Sequence, residues 1–353
     1  MGFRPGGSSS SVPHTHLGGA ILKCAKRFGL RPRSCRFGLR EQRLPPFLGV
    51  DGKFKVWGRA ESGSFAAAVQ SASRRTLRYT NITRQLSNPG REAFDAVADE
   101  YDDQFTNSQI GRAQRQSVWQ ETDRLFRPGQ RILEINCGTG VDALHLAARG
   151  IHVVASDASA KMVEVAQRRR DASASQDRLE FRVLPIERIG QLEREGPYDG
   201  VLSNFAGLNC VADLQSTARD LSRLIRPGGL AILCMFGRFC LWEMLWYAFQ
   251  GDIRKAFRRL RGGRVVANLA HNRSIYVRYP SVGSLCRDFA PHFRLARWKG
   301  VGIAVPPSYL EPAAVRFARM FALAAKIDPY FGRCPGLRAL ADHVVLVFER
   351  VNA

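Results

Sequence analysis

Apolar positions along this chain alternate between helical stripes and short unbroken runs. The alternation becomes regular only after residue 91. Phe94, Val97, Ala98, Tyr101 and Phe105 recur at steps of three and four, which predicts helix, and Gln114–Phe126 reads as a further helix stopped by Pro128-Gly129. Ile132, Leu133 and Ile135 form a run suited to a buried strand. Val141–Arg149 then reads as a helix closed by Gly150, and Ile151–Ala155 as a second strand. The pattern continues with a helix at Lys161–Arg170, strands at Leu179–Leu184 and Tyr198–Phe205, a helix at Leu214–Ile225 and a strand after Arg226-Pro227-Gly228-Gly229. Further strands are predicted at Asn272–Tyr279, Phe293–Trp298 and Asp342–Arg350, and helices at Ser281–Phe289 and Pro312–Lys326. Strands and helices in this order predict an α/β fold built on a doubly wound, Rossmann-like sheet.

Two stretches depart from that rhythm. Phe239, Trp242, Leu245, Trp246, Phe249, Ile253, Phe257 and Leu260 keep helical spacing across a break at Gly251-Asp252, where Asp252 can cap the second piece. Arg254, Lys255, Arg258, Arg259 and Arg261 occupy the other face. The stretch reads as a helical lid inserted at about residues 238–280, either with a solvated basic face or facing a lipophilic acceptor or a membrane surface. A spanning helix is rejected, because Arg238 and Glu243 would be buried at a cost of several kcal/mol. Residues 1–90 show no sustained period and read as a basic, disordered extension, a targeting peptide or an upstream extension from a misplaced start.

Charge changes the picture little. The net +22 would suggest nucleic acid or an anionic membrane, but residues 1–90 alone hold 16 Lys and Arg against 3 Asp and Glu. Basic and aromatic residues are scarcely interleaved around the sheet, which argues against a nucleic-acid partner. The eight cysteines contain no C-x-x-C pair, and Cys137, Cys210, Cys234 and Cys240 lie in or beside apolar runs. They read as reduced, buried thiols of a cytoplasmic protein, and the histidines show no metal spacing.

The chemistry concentrates in Arg131–Gly140, Arg-Ile-Leu-Glu-Ile-Asn-Cys-Gly-Thr-Gly. A strand, a glycine turn and a helix form the front of a nucleotide-binding βαβ unit, and Gly138 and Gly140 let backbone N–H groups approach a ligand. Asp157 follows the second strand, where a carboxylate accepts hydrogen bonds from both hydroxyls of a ribose. It could instead cap the helix from Lys161. Gly138, Gly140 and Ala143 also fit the dinucleotide pattern G-x-G-x-x-A. An NAD(P)-dependent oxidoreductase is thus one alternative, and a non-catalytic cofactor- or nucleic-acid-binding protein is another.

Glu134-x-x-x-Gly138-x-Gly140 resembles motif I of the class I S-adenosylmethionine-dependent methyltransferases, with Asn136 in place of the first glycine. Asn tolerates positive φ better than other residues with a Cβ, so the turn can survive. The lead-in Ala93–Asp102 and the Pro227-Gly228-Gly229 turn resemble those of the ubiquinone and menaquinone methyltransferases. The resemblance covers about residues 91–353 and implies a seven-stranded sheet whose last strand is antiparallel. It implies S-adenosylmethionine as cofactor, while the aromatic lid points to a small, hydrophobic acceptor and the residue spacing to no metal.

The resemblance also assigns roles. Gly138, Thr139 and Gly140, with Asn136 and Cys137 in the same turn, would accommodate the amino-acid end and ribose of the cofactor. Glu134 would orient the turn or meet the ammonium group. Asp157 and Ala158 would hold the ribose, and Met162 and the Ile186 backbone the adenine. Tyr101 would lie in a lid over the cofactor, and Asn204 and Phe205 would line the methyl-transfer side. No catalytic base is singled out. His271, Tyr276, Tyr309 and Glu243 are candidates from the segments expected to face the acceptor.

Overall fold

The computed structural model describes residues 89–269 and 273–352. All of the predicted 1–90 extension except Pro89 and Gly90 lies outside these, as does His271. Nine strands are described: β1 Arg131–Ile135, β2 His152–Asp157, β3 Leu179–Val183, β4 Tyr198–Ser203, β5 Ile225–Phe236, β6 Arg264–Asn268, β7 Ser274–Arg278, β8 Phe293–Val301 and β9 His343–Arg350. Seven of them form one sheet in the order β3-β2-β1-β4-β5-β9-β8, and β6 and β7 make a separate hairpin.

Strands β1 to β5 pair in parallel, and β9 runs antiparallel to both β5 and β8. This is the sheet that the alternation and the motif imply. Period-two alternation feeds both of its faces. Leu133 and Ile135 of β1 join one apolar cluster with Val201, Leu233 and Phe348, whereas Ile132 joins another with Leu202, Ile232 and Val345. Both clusters are buried, as expected of a parallel sheet covered by helices.

Local rules explain where the boundaries moved. The helix expected from Gln114 begins at Gln109, because Ser108 caps it by accepting from the Gly111 N–H. The lid divides at the expected break. One helix spans Leu241–Phe249, Gly251 adopts φ +76°, and Asp252 caps the turn Ile253–Ala256 by accepting from the Lys255 N–H. The sequence pattern missed β6, whose pairing with β7 turns the second half of the insertion into a hairpin. The expected Pro312–Lys326 helix is broken at Phe317 into Glu311–Arg316 and Ala318–Arg333, and it runs on through Pro329. Cys137, Cys234 and Cys240 are buried, but Cys210 is exposed, contrary to expectation. No helix among the described residues is long and apolar enough to cross a membrane.

Candidate active site

The turn after β1 bends through three residues at positive φ: Asn136 at 56°, Gly138 at 54° and Gly140 at 76°. Asn136 therefore adopts the conformation that a glycine would supply. The two glycines serve different ends. A Cβ on Gly138 would meet nothing within 4 Å, whereas one on Gly140 would lie 2.8 Å from Ala166 Cβ and from the Phe181 ring. Gly138 thus keeps a concave surface open, and Gly140 lets helix and strand pack closely. Across the turn, Gly207 fits where its own Cβ would come within 2.4 Å of Asn136 Cβ.

Asp157 ends β2 and faces this turn. Its Oδ2 accepts from the Gly138 N–H at 2.9 Å, and its Oδ1 from the Ser159 N–H at 2.8 Å. The alternative role of helix cap falls to Ser159, whose hydroxyl accepts from the Met162 N–H at 3.1 Å. Burial pushes the Asp157 carboxyl above its ordinary pKa, and the backbone N–H groups partly offset this. Each carboxylate oxygen has two acceptor sites, so these bonds position the group and leave capacity for ligand hydroxyls.

The residues from β4 and the first helix behind the turn meet at a buried ion pair. Asp142 pairs with Arg115, accepts from Trp119 Nε1 at 2.6 Å, and accepts from Asn204 Nδ2 at 3.0 Å. The Arg115 guanidinium lies 4.6 Å over the Phe205 ring, and Phe205 itself holds φ +48°. A second clamp ties the N-terminal segment to the turn. Thr139 Oγ1 donates to Asp102 Oδ1 at 2.8 Å, while Arg169 donates to both Asp102 Oδ2 at 2.5 Å and the Thr139 carbonyl at 2.8 Å.

These elements enclose a cavity of about 290 Å³. Tyr101, Asn136, Cys137, Gly138, Thr139, Asp157, Ala158, Met162, Ile186, Asn204 and Phe205 all line it. Glu134 and Gly140 do not. Gly140 is occupied with packing, and Glu134 lies behind the turn at 1% exposure with no hydrogen-bond partner for Oε2. Burial, and then Asp142, pushes the Glu134 carboxyl well above its ordinary pKa, against the pull of Arg115. Glu134 thus lies behind the turn rather than in the cavity wall. Burial also pushes the Tyr101 hydroxyl up to about 12, so it stays protonated at neutral pH.

The remaining wall comes from the lid hairpin and the loop after β4: Arg264, Ile275 and Tyr276, with Cys210, Val211 and Ala212. Of the candidate bases, Tyr276 reaches the cavity. Tyr309 and Glu243 do not line it; Glu243 is buried against Arg258 at 2.7 Å and Arg259 at 2.9 Å. Arg259 continues to Asp342 at 2.7 Å and fastens the lid to the end of β9. Burial alone would raise the Asp342 carboxyl, but His343 and Arg259 bring it far below its ordinary value. Among the described residues, no group of three or more His, Cys, Asp or Glu could hold a metal.

The sequence pattern gives Arg115, Asp142 and Arg169 no role, and it names Asp102 only as the end of the lead-in. Asp102 could have been found, since it closes the Tyr101-Asp102 lead-in, and Asp142 sits two residues past the glycine turn. Arg115 and Arg169 carried no local signal.

Residues 132–229 match the family described as "Methyltransferase domain". A demethylmenaquinone methyltransferase from Clavibacter sepedonicus is 36% identical over 151 residues, covering 40% of this chain and 56% of that protein. A tRNA 5-carboxymethoxyuridine methyltransferase from Escherichia coli is 29% identical, covering 40% of this chain and 56% of its own. The chain thus spans little more than half the length of both relatives. A solved Burkholderia thailandensis 1,6-didemethyltoxoflavin-N1-methyltransferase with bound S-adenosylhomocysteine aligns over 76% of this chain and 90% of its own, at 17% identity and a TM-score of 0.45. The matched segment runs from β1 into β5, is similar to a methyltransferase domain, and contains the glycine turn and Asp157.

Proposed function

We propose that this protein transfers a methyl group from S-adenosylmethionine to a small, hydrophobic acceptor. The observation that carries the reading is the shared cavity in which the open glycine turn and Asp157 face a wall of lid residues. The residues fit the cofactor. Asp157 is a pre-positioned acceptor for two ribose hydroxyls, Gly138 leaves space beside it, and Met162 and Ile186 offer apolar contact for a flat ring.

When bound, S-adenosylmethionine supplies an electrophilic methyl on a sulfonium and a neutral leaving group. The protein's own residues then have three tasks. The turn and Asp157 hold the cofactor in one orientation. Asn204, fixed by Asp142, and Phe205, fixed by Arg115, shape the wall on which the acceptor rests. Ile275, Tyr276 and Arg264 would exclude water and hold the acceptor within reach of the methyl group. Tyr276 is the candidate to receive or relay a proton where the acceptor must lose one.

Calorimetry of the full chain tests the cofactor: micromolar binding of S-adenosylmethionine and S-adenosylhomocysteine is expected, with none of NADH. Binding of NADH alone would restore the dinucleotide reading. A labelled methyl offered to a lipophilic quinol, RNA and protein tests the acceptor. Label in RNA or protein, with none in lipophilic acceptors, would end the small-molecule assignment.

A further inference from the structure

Among the described residues, fifteen large apolar side chains are exposed, and twelve of them fall in two stretches, 239–257 and 315–331. The most exposed are Phe249 at 90%, Met320 at 72%, Tyr330 at 72% and Leu323 at 61%. Most singly exposed apolar residues need no explanation, but a concentration of this kind marks a contact surface.

The two stretches are joined through one loop. Asp328, in the helix Ala318–Arg333, accepts from the backbone N–H groups of Gly302, Ile303, Ala304 and Val305. From the lid helix Leu241–Phe249, Trp242 Nε1 donates to the Ile303 carbonyl at 2.8 Å. The rings of Tyr247 and Tyr309 add a contact at 6.4 Å. Both helices are therefore fixed to residues 302–309, and each leaves an apolar side uncovered.

Charge selects the partner. Arg254, Arg261, Arg316, Arg319 and Lys326 are exposed in or beside these stretches. The acids there are engaged. Glu243 holds Arg258 and Arg259, and Asp252 caps its helix and pairs with Lys255. Glu311 accepts from the Gln109 and Ile110 N–H groups, and Asp328 holds the loop. Exposed Phe, Leu, Met and Trp flanked by cations, with the acids turned to other work, is the composition of a surface that rests in a lipid interface. Two copies meeting through this same patch would set cations against cations.

We propose that the lid and the helix Ala318–Arg333 together dock this protein on the surface of an anionic phospholipid bilayer. The lid hairpin that walls the cavity belongs to the same insertion, so docking would bring the cavity beside the acyl phase. Phe249, Leu323 and Met320 enter the interface, and the cations meet lipid phosphates.

The test is partitioning of the full chain onto vesicles of phosphatidylglycerol and phosphatidylcholine, by co-sedimentation, without S-adenosylmethionine or acceptor. It is scored apart from methyl transfer, so either reading can fail alone. The triple variant Phe249→Ser, Leu323→Ser, Met320→Ser removes apolar surface and leaves residues 1–90 and every cation in place. Its partitioning should fall at least about tenfold, with unchanged melting and S-adenosylhomocysteine affinity. Pure phosphatidylcholine should bind the wild type more weakly, and Arg316→Gln with Lys326→Gln should reduce the dependence on anionic lipid. Equal binding of triple variant and wild type would overturn the proposal. So would light scattering that shows a wild-type dimer, abolished in the triple variant while vesicle binding persists.

Discussion

The two sides of the cavity are built in opposite ways. The turn side comes from one continuous stretch, residues 131–162, and its working atoms are mostly backbone N–H groups, a bend at positive φ and one carboxylate. The lid side is collected from residues 90–105 and 204–212 with Arg264, Ile275 and Tyr276, and distant ion pairs hold it: Arg115 to Asp142, Arg169 to Asp102, and Arg259 to Glu243 and Asp342. A recurrent cofactor can be met by backbone geometry that spacing encodes. An acceptor is met by side chains gathered from separate segments, which no single spacing encodes.

The largest effect should come from the buried pair that joins the two sides. Arg115→Ala leaves Asp142 buried without its charge partner, and unfolding by denaturant should show a loss of about 3–5 kcal/mol. A loss within 0.5 kcal/mol would mean that the lid side stands independently of the turn. Next, the two glycines should separate by readout. Gly140→Ala presses a methyl on Ala166 and Phe181 and should cost about 1–3 kcal/mol of stability. Gly138→Ala meets open space, so it should cost less stability and more S-adenosylhomocysteine affinity. The opposite ranking would reverse their roles.

Acidity should distinguish the sides as well. The folded Glu134 carboxyl keeps its proton above the ordinary carboxyl pKa, while the unfolded chain releases it. Its contribution is therefore complete at low pH and is lost as pH rises through the folded value. Asp342 is the reverse: its folded carboxyl stays ionised below the ordinary value, so its contribution is lost as pH falls. Stability curves of Glu134→Gln and Asp342→Asn should flatten on the alkaline and acid sides respectively. Parallel curves would contradict the assignment. The smallest effect is expected for Tyr276→Phe, which should leave S-adenosylhomocysteine affinity within about twofold while lowering turnover. A tenfold loss of affinity would move Tyr276 to the cofactor.

What could be read in advance follows the same division. The strand runs, the turn with Asn136 standing for a glycine, Asp157 at the carboxyl end of β2 and the antiparallel last strand are local patterns, and each survives in the fold. Glu134 was placed correctly in the chain, but its burial behind the turn depends on packing that no spacing encodes. Strand β6 was missed because Arg264–Asn268 is short and gains its identity only by pairing with β7. Arg115 and Arg169 were missed because their partners lie 27 and 67 residues away.

The central claim is that Asp157, held by the Gly138 and Ser159 backbone, grips the ribose of the cofactor. Titration calorimetry of S-adenosylhomocysteine into the full chain and its Asp157→Ala variant tests it directly. The account predicts a loss of about 1.5–3 kcal/mol, roughly ten- to a hundredfold in Kd. An affinity unchanged by the substitution, in a variant that still melts cooperatively, would contradict it.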